Sequence, residues 1–250
     1  RTVNSVLRAM EVLSCFSTNH LEWGVSEVAE YLGWYKSAAH RFLRSLEQAG
    51  YVERTLGHRY RLGVRALELG NIYSFQTRLL QIAERPLRLL AAQTGFSAHL
   101  AQLNGRDVLE LLKVSSKEDS LRPPTRVLRK PAHASALGKV LLAFGPRESL
   151  EHYIGIRRTL ERYTNNTILR PDGFRVHLQR VVERGYAIDC GECSPERFCL
   201  AVPVCDCRSP LVKVAISVST SSTRFDQTNC MKYLPALVRA AHHIGESGFR

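Results

Sequence analysis

Residues 25–33, VSEVAEYLG, then residues 36–49, KSAAHRFLRSLEQA, then Gly50 and residues 51–62, YVERTLGHRYRL, hold the pattern that decides the N-terminal fold. In the first segment Val25, Val28, Ala29 and Leu32 share one helical face, Ser26 is placed to cap the helix, Glu27 favours its first turn, and Gly33 ends it. The second segment reads as a longer helix stopped by Gly50, with Ala39, Phe42, Leu43 and Leu46 on its packed side. At ~100° per residue, Lys36, Ser37, His40, Arg41 and Arg44 project on roughly the opposite side. That face carries three fixed positive charges and no acid. Tyr51 to Thr55 and Arg59 to Leu62 alternate like two strands of a hairpin around a turn at Leu56 to His58. Helix, turn, longer helix and hairpin together spell a winged helix-turn-helix.

Upstream, Val3, Val6, Leu7, Met10 and Leu13 recur at helical spacing and predict a first helix that buries this stripe. Downstream, Val64 to about Ala92 is again helical, with Gly70 and Pro86 as expected interruptions. Beyond Gly95, strands are expected at Ser97 to Leu103, Val108 to Val114, Tyr186 to Asp189, Leu200 to Val204 and Val212 to Val218. Helices are expected at Leu137 to Phe144, Phe174 to Arg184 and Met231 to Glu246. Strands broken by a few helices indicate an α+β domain. The resulting division is a DNA-binding domain over 1–63, a linker helix over 64–80 and a second domain over 81–250.

The composition, 44% apolar and 23% charged over 250 residues, is that of a folded globular chain. No uninterrupted apolar run exceeds five residues, as at Val140 to Phe144, so no membrane partner is expected. The formal charge of +12 suits nucleic acid, yet residues 1–72 hold nine Lys/Arg against seven Asp/Glu, so most of the surplus lies in the second domain. Local clusters must therefore identify the DNA contact. Besides the helical face, Arg54, Arg59 and Arg61 place three cations on the wing, against backbone or minor groove; the alternative is that both sets are solvated faces. Seven cysteines, an odd number with no secretory signal in view, favour reduced thiols and a cytoplasmic location.

The segments quoted above, with Tyr60-Arg61-Leu62-Gly63, closely resemble the N-terminal domain of the IclR family of bacterial transcription regulators. His133-Ala134-Ser135-Ala136-Leu137-Gly138-Lys139-Val140-Leu141-Leu142-Ala143 resembles the signature loop and helix of the same family. Cys199-Leu200-Ala201-Val202-Pro203-Val204 and Ala215-Ile216-Ser217-Val218-Ser219 resemble its C-terminal strands, in the right order along nearly the whole chain. Two departures stand out. Ala38-Ala39 replaces the family's hydroxyl and β-branched pair, and Glu196 occupies a position that is commonly glycine.

The resemblance implies a GAF-like (profilin-like) effector domain that binds a small molecule, often a carboxylate, on an antiparallel sheet. Its matching pocket positions are Ala134, Ser135, Ala136, Leu137, Gly138, Asp189, Cys199, Ser217 and Ser219. The chemistry is consistent: residues 135–138 lead into a helix whose free N–H groups favour an anion, and Ser217 and Ser219 share one face of a strand. The implied regulator is a homodimer, pairing further into a homotetramer, that binds double-stranded operator DNA, as a repressor or an activator. Neither catalysis nor a cofactor is expected. Gly138-Lys139 is no phosphate loop, since no glycine lies five residues earlier and Val140 stands where Ser or Thr is needed. The rival reading is metal or redox sensing by Cys190, Cys193, Cys199, Cys205 and Cys207, although a strand between the pairs disfavours a closed zinc site.

Overall fold

The computed structural model describes residues 2–17, 20–115, 129–155, 158–206, 209–221 and 229–248. It divides into two compact units, residues 1–77 and 78–250.

The first unit contains α1 (Asn4–Ser14), β1 (Glu22–Trp23), α2 (Val25–Leu32), α3 (Lys36–Gln48), β2 (Val52–Arg54), β3 (Tyr60–Leu62) and α4 (Val64–Gln76). β1, β3 and β2 pair antiparallel in that order. Val12, Trp23, Val28, Ala39, Leu43, Leu46, Val52 and Tyr60 form the core, so the packed sides assigned to α2 and α3 are the ones buried. Gly33 ends α2 at φ 68°, a left-handed conformation that glycine takes without steric cost. The cap of α2 departs from expectation: Gly24, not Ser26, precedes the helix, and its N–H donates to Glu27 Oε2 at 3.0 Å.

The stripe expected to be buried on α1 lies outward. Val3, Val6, Leu7 and Met10 are exposed, and α1 reaches the core through Val12 with Ala9 and Leu13 beside it. Periodicity shows that a helix has an apolar side, not which body that side meets. Leu67, Leu69, Ile72, Tyr73 and Phe75 of α4 are exposed as well.

The second unit begins with α5 (Arg78–Thr94), which runs unbroken through Pro86. The helical stretch instead breaks at Thr77, three residues short of the linker boundary expected from the sequence. Pro86 is tolerated because it is buried, as are Ala83, Leu87 and Leu90 of the same helix, and their burial outweighs one missing helical hydrogen bond. Next come β4 (Ser97–Asn104), β5 (Asp107–Val114), β6 (Arg129–Pro131), α6 (Ala136–Phe144), α7 (Arg147–Ile154), α8 (Pro171–Arg184), β7 (Ala187–Cys190), β8 (Arg197–Asp206), β9 (Ser209–Ser221), a 3₁₀ turn at Cys230–Tyr233 and α9 (Leu234–Gly248). The short elements β1, β6 and α7 carry no clear sequence signal.

One six-stranded antiparallel sheet, ordered β6-β5-β4-β9-β8-β7, organises this unit. Alternation along its strands makes two faces. Leu100, Leu200, Val202, Ile216 and Val218 pack with α5 and α9, whereas Ala101, Ala187, Ala201 and Ala215 meet α6 and α8. Small residues on the second face leave room beneath α6.

Candidate functional site

On α3, Lys36, Ser37, His40, Arg41 and Arg44 are all exposed, while Ala39, Leu43 and Leu46 anchor the opposite side. Lys36, Arg41 and Arg44 enter no ion pair among the described residues, so their charge faces outward uncompensated. Tyr35, immediately before the helix, is 87% exposed and joins this face. An aromatic preceding a helix gave no signal in the sequence, because it lies outside the periodic stretch.

The wing is less open than its composition suggests. Arg59 donates to both carboxylate oxygens of Glu27, at 2.9 and 2.6 Å, and to the Glu22 carbonyl at 3.0 Å. The Arg59 guanidinium and the Gly24 N–H together hold the Glu27 carboxyl below its usual range. Arg59 is thus an internal tie between wing and α2 in the DNA-free chain. Arg61 pairs with Glu53 at 2.5 Å across the hairpin, whereas Arg54 is exposed with no ion pair among the described residues.

In the second unit a cavity of about 280 Å³ opens between α6 and the sheet. Its floor is His99, Asp189, Cys199 and Ser217, and its rim includes Lys130, Cys193 and Arg197. Ser135 caps α6, its hydroxyl accepting from the Gly138 N–H at 3.2 Å and donating to the Pro131 carbonyl at 2.9 Å. The N–H groups of Ala136 and Leu137 remain without a partner among the described residues, and both residues line the cavity. With Arg197, which also has no ion pair among them and lines the same cavity, they give the lining donors and a positive charge suited to an anion. Gly138 permits the close packing behind this turn: a Cβ there would lie 2.2 Å from the Ala132 carbonyl oxygen.

A buried relay runs behind His99 and Lys130 of the cavity lining. Glu110 Oε2 accepts from Lys130 Nζ at 2.9 Å and lies 2.9 Å from His99 Nδ1, while His99 Nε2 lies 2.8 Å from Ser219 Oγ. Burial alone would raise the Glu110 carboxyl, but the hydrogen bonds from His99 and Lys130 and the Lys130 charge outweigh it and hold the group low, at about 2. Burial pushes His99 down, so its ring is neutral. With Glu110 ionised, the ring proton sits on Nδ1, and the Ser219 hydroxyl donates to Nε2.

Matches to known families are consistent with both halves. The model for the Bacterial transcriptional regulator IclR C-terminal domain matches residues 73–246, and that for the IclR helix-turn-helix domain matches residues 5–56. The chain belongs to the IclR family. The HTH-type transcriptional regulator XynR of Escherichia coli (strain K12) is 29% identical over 95% of this chain and 94% of its own length. The regulator KdgR of the same organism is 30% identical over 97% and 92%. Among solved structures, the IclR regulator of Alicyclobacillus acidocaldarius superposes with a TM-score of 0.81 at 26% identity, covering 98% of each chain. An IclR homolog from Microbacterium hydrocarbonoxydans, complexed with 4-hydroxybenzoate, gives 0.79 at 27% identity over 96% of this chain and 97% of its own.

This IclR protein is a DNA-binding transcription regulator with a C-terminal effector-binding domain, not an enzyme. Among the described residues, no helix is long and apolar enough to cross a membrane. Of the pocket positions implied by resemblance, Ser135, Ala136, Leu137, Asp189, Cys199 and Ser217 line the cavity. Ala134 and Gly138 lie behind that lining, and Ser219 sits under His99 with its hydrogen committed there. His99, Glu110, Lys130 and Arg197 went unrecognised in the sequence; the first three are joined, with Ser219, across strands separated by up to 120 positions. The Glu196 departure is harmless: the loop is closed by Gly191 N–H to the Arg197 carbonyl at 3.0 Å, Gly191 carries the positive φ, and Glu196 is exposed.

In the cysteine cluster, burial raises the Cys193 thiol and pushes Cys199 up to about 12, so both are protonated and weak as nucleophiles or ligands. Among the described residues no three His, Cys, Asp or Glu side chains converge as a metal site requires. Cys207 lies outside the described residues.

The two buried acids of the cavity act oppositely on stability. Glu110 titrates lower in the folded protein than its ordinary value of 4.5, so its contribution is present above that pH and lost as pH falls towards 2. Asp189 is pushed up from 3.8 to about 6, first by burial, against the N–H that Glu192 donates at 2.7 Å. Its contribution is present below 3.8 and is lost as pH rises through 6. Asp189→Asn, which keeps the acceptor oxygen, is expected to raise the stability of this unit at pH 7 by on the order of 2 kcal/mol. Thermal melts across that range would show the variant's advantage growing with pH.

Proposed function

We propose that this regulator binds operator DNA through the exposed face of α3 and the wing, and that a small organic acid in the cavity beneath α6 modulates that binding. The observation that carries the second part is that free α6 N–H groups and Arg197 line the same small, partly apolar cavity. In this reading the carboxylate lies against Ala136, Leu137 and Arg197, and Ser217 meets a second polar group. The relative that holds 4-hydroxybenzoate supports a carboxylate as the effector. The protein acts as a homodimer: the exposed apolar residues of α1 and α4 are suited to a second copy, and two α3 helices then address a partly palindromic site. The effector signal passes through the α4–α5 connection at Thr77. Repression is the mode of action in this reading.

Fluorescence anisotropy of duplexes selected by the intact protein, titrated with 4-hydroxybenzoate, benzoate and a panel of small aliphatic acids, tests the coupling. At least one acid is expected to change duplex affinity by about fivefold or more, and Ser217→Ala to weaken that response. A panel in which every acid leaves both melting temperature and duplex affinity unchanged would overturn the effector assignment.

A further inference from the structure

The tip of the wing combines features that the α3 face does not explain. Leu56 is 104% exposed, more than any other large apolar residue described. One exposed leucine is ordinary on a protein surface. Here, however, it stands on a rigid support. Thr55 N–H donates to the Arg59 carbonyl at 2.8 Å, and His58 N–H donates to the Thr55 carbonyl at 3.0 Å. His58 takes φ 57°, the only positive φ at a non-glycine residue among those described, a strained conformation that fixes the turn. The Arg59 tie to Glu27 and Glu22 then fastens the hairpin to α2, and the Arg61–Glu53 pair braces its two strands. The result is an apolar point held out from the body, with Arg54 and His58 exposed beside it.

We infer that Leu56 is an apolar wedge that enters the minor groove of operator DNA and opens a base step, with Arg54 and His58 flanking it. This rests on the DNA-binding reading above and adds a wedge contact to it. The occupant follows from charge: uncompensated Arg54 beside an exposed leucine matches the narrow minor groove, whose walls are phosphate and between whose stacked bases an apolar side chain can insert. Minor-groove proteins use leucine in this way, the cost of unstacking being offset by the bent duplex that then contacts more protein. The internal ties of Arg59 and Arg61 fit the same role, since a wedge that yields does not unstack a base pair.

The test uses the intact protein and duplexes it selects from a random-sequence library. Bending is read by energy transfer between the duplex ends, and unstacking by 2-aminopurine placed along the flanks of the selected site. Wild type and Leu56→Met are expected to bend the duplex by about 20° or more and to raise 2-aminopurine emission at one step on each side. Leu56→Ser is expected to lose the emission and most of the bend and to bind about tenfold more weakly, with an unchanged melting temperature. Equal bend, emission and affinity in Leu56→Ser and wild type would overturn the wedge while leaving the α3 assignment intact. A changed sedimentation coefficient of DNA-free Leu56→Ser would place a second copy on the tip and also overturn it. A library from which no duplex is enriched would remove the DNA-binding reading and this inference together.

Discussion

Alanine at Lys36, Arg41 and Arg44 together is expected to reduce operator affinity by on the order of a thousandfold while the first unit stays folded. Each of these side chains is exposed and none is in an ion pair among the described residues, so their removal breaks no internal salt bridge, only the Arg41 guanidinium's contact with the Phe42 ring. What is lost is interaction with DNA: roughly 1–3 kcal/mol for a side chain that reads a base edge, and a smaller, salt-dependent amount for one that meets phosphate. The two kinds separate in a salt titration. Each lost phosphate contact lowers the slope of log affinity against log salt by about 0.9, whereas a lost base contact leaves the slope and relaxes sequence preference. Arg59→Ala is expected to behave differently. Its charge is already spent on Glu27 and Glu22, so its loss loosens the wing with little change in salt slope.

Lys139→Ala is the substitution expected to cost the second unit most. Lys139 is fully buried in α6, its ammonium held by the Glu192 carboxylate and donating to the Ile188 carbonyl at 2.9 Å. Removing it leaves Glu192 as an uncompensated buried charge, with Glu192 Oε2 already lacking a partner. Breaking such a pair from one side costs about 3–5 kcal/mol. The damage is local to the site, because Glu192 N–H supports Asp189 and the Glu192 carbonyl accepts from Thr167. Replacing both partners, Lys139→Met with Glu192→Gln, removes charge from both sides and is expected to recover most of the loss in denaturant unfolding. A single variant as stable as wild type would show that the pair is not holding this loop to α6.

The parts of this fold that were legible in the sequence are those set by local rules. The buried and exposed sides of α3 follow from spacing alone, and Gly33 and Gly50 mark turns because both adopt positive φ. The hairpin is legible for the same reason. What escaped is non-local or collective. The apolar side of α1 is real, but its partner is not the core of its own unit. Pro86 reads as a break, although tertiary burial carries the helix through it. Most telling is the effector cavity: Ser217 and Ser219 are equivalent by spacing, and only the ring of His99, reached from another strand, separates one from the other. Family resemblance located the α6 turn, Asp189 and Cys199 but carried no information on the Lys130–Glu110–His99 relay, which depends on side chains of β4, β5 and β6 meeting across the sheet.

The most direct test of the central claim is photocrosslinking from α3. A benzophenone side chain placed at Ser37, on the exposed face, should crosslink to a selected duplex at bases within the protected site, and the same group at Glu84, exposed on α5 of the other unit, should not. Crosslinks from position 84 with none from position 37 would mean that this face of α3 is not where the protein meets DNA.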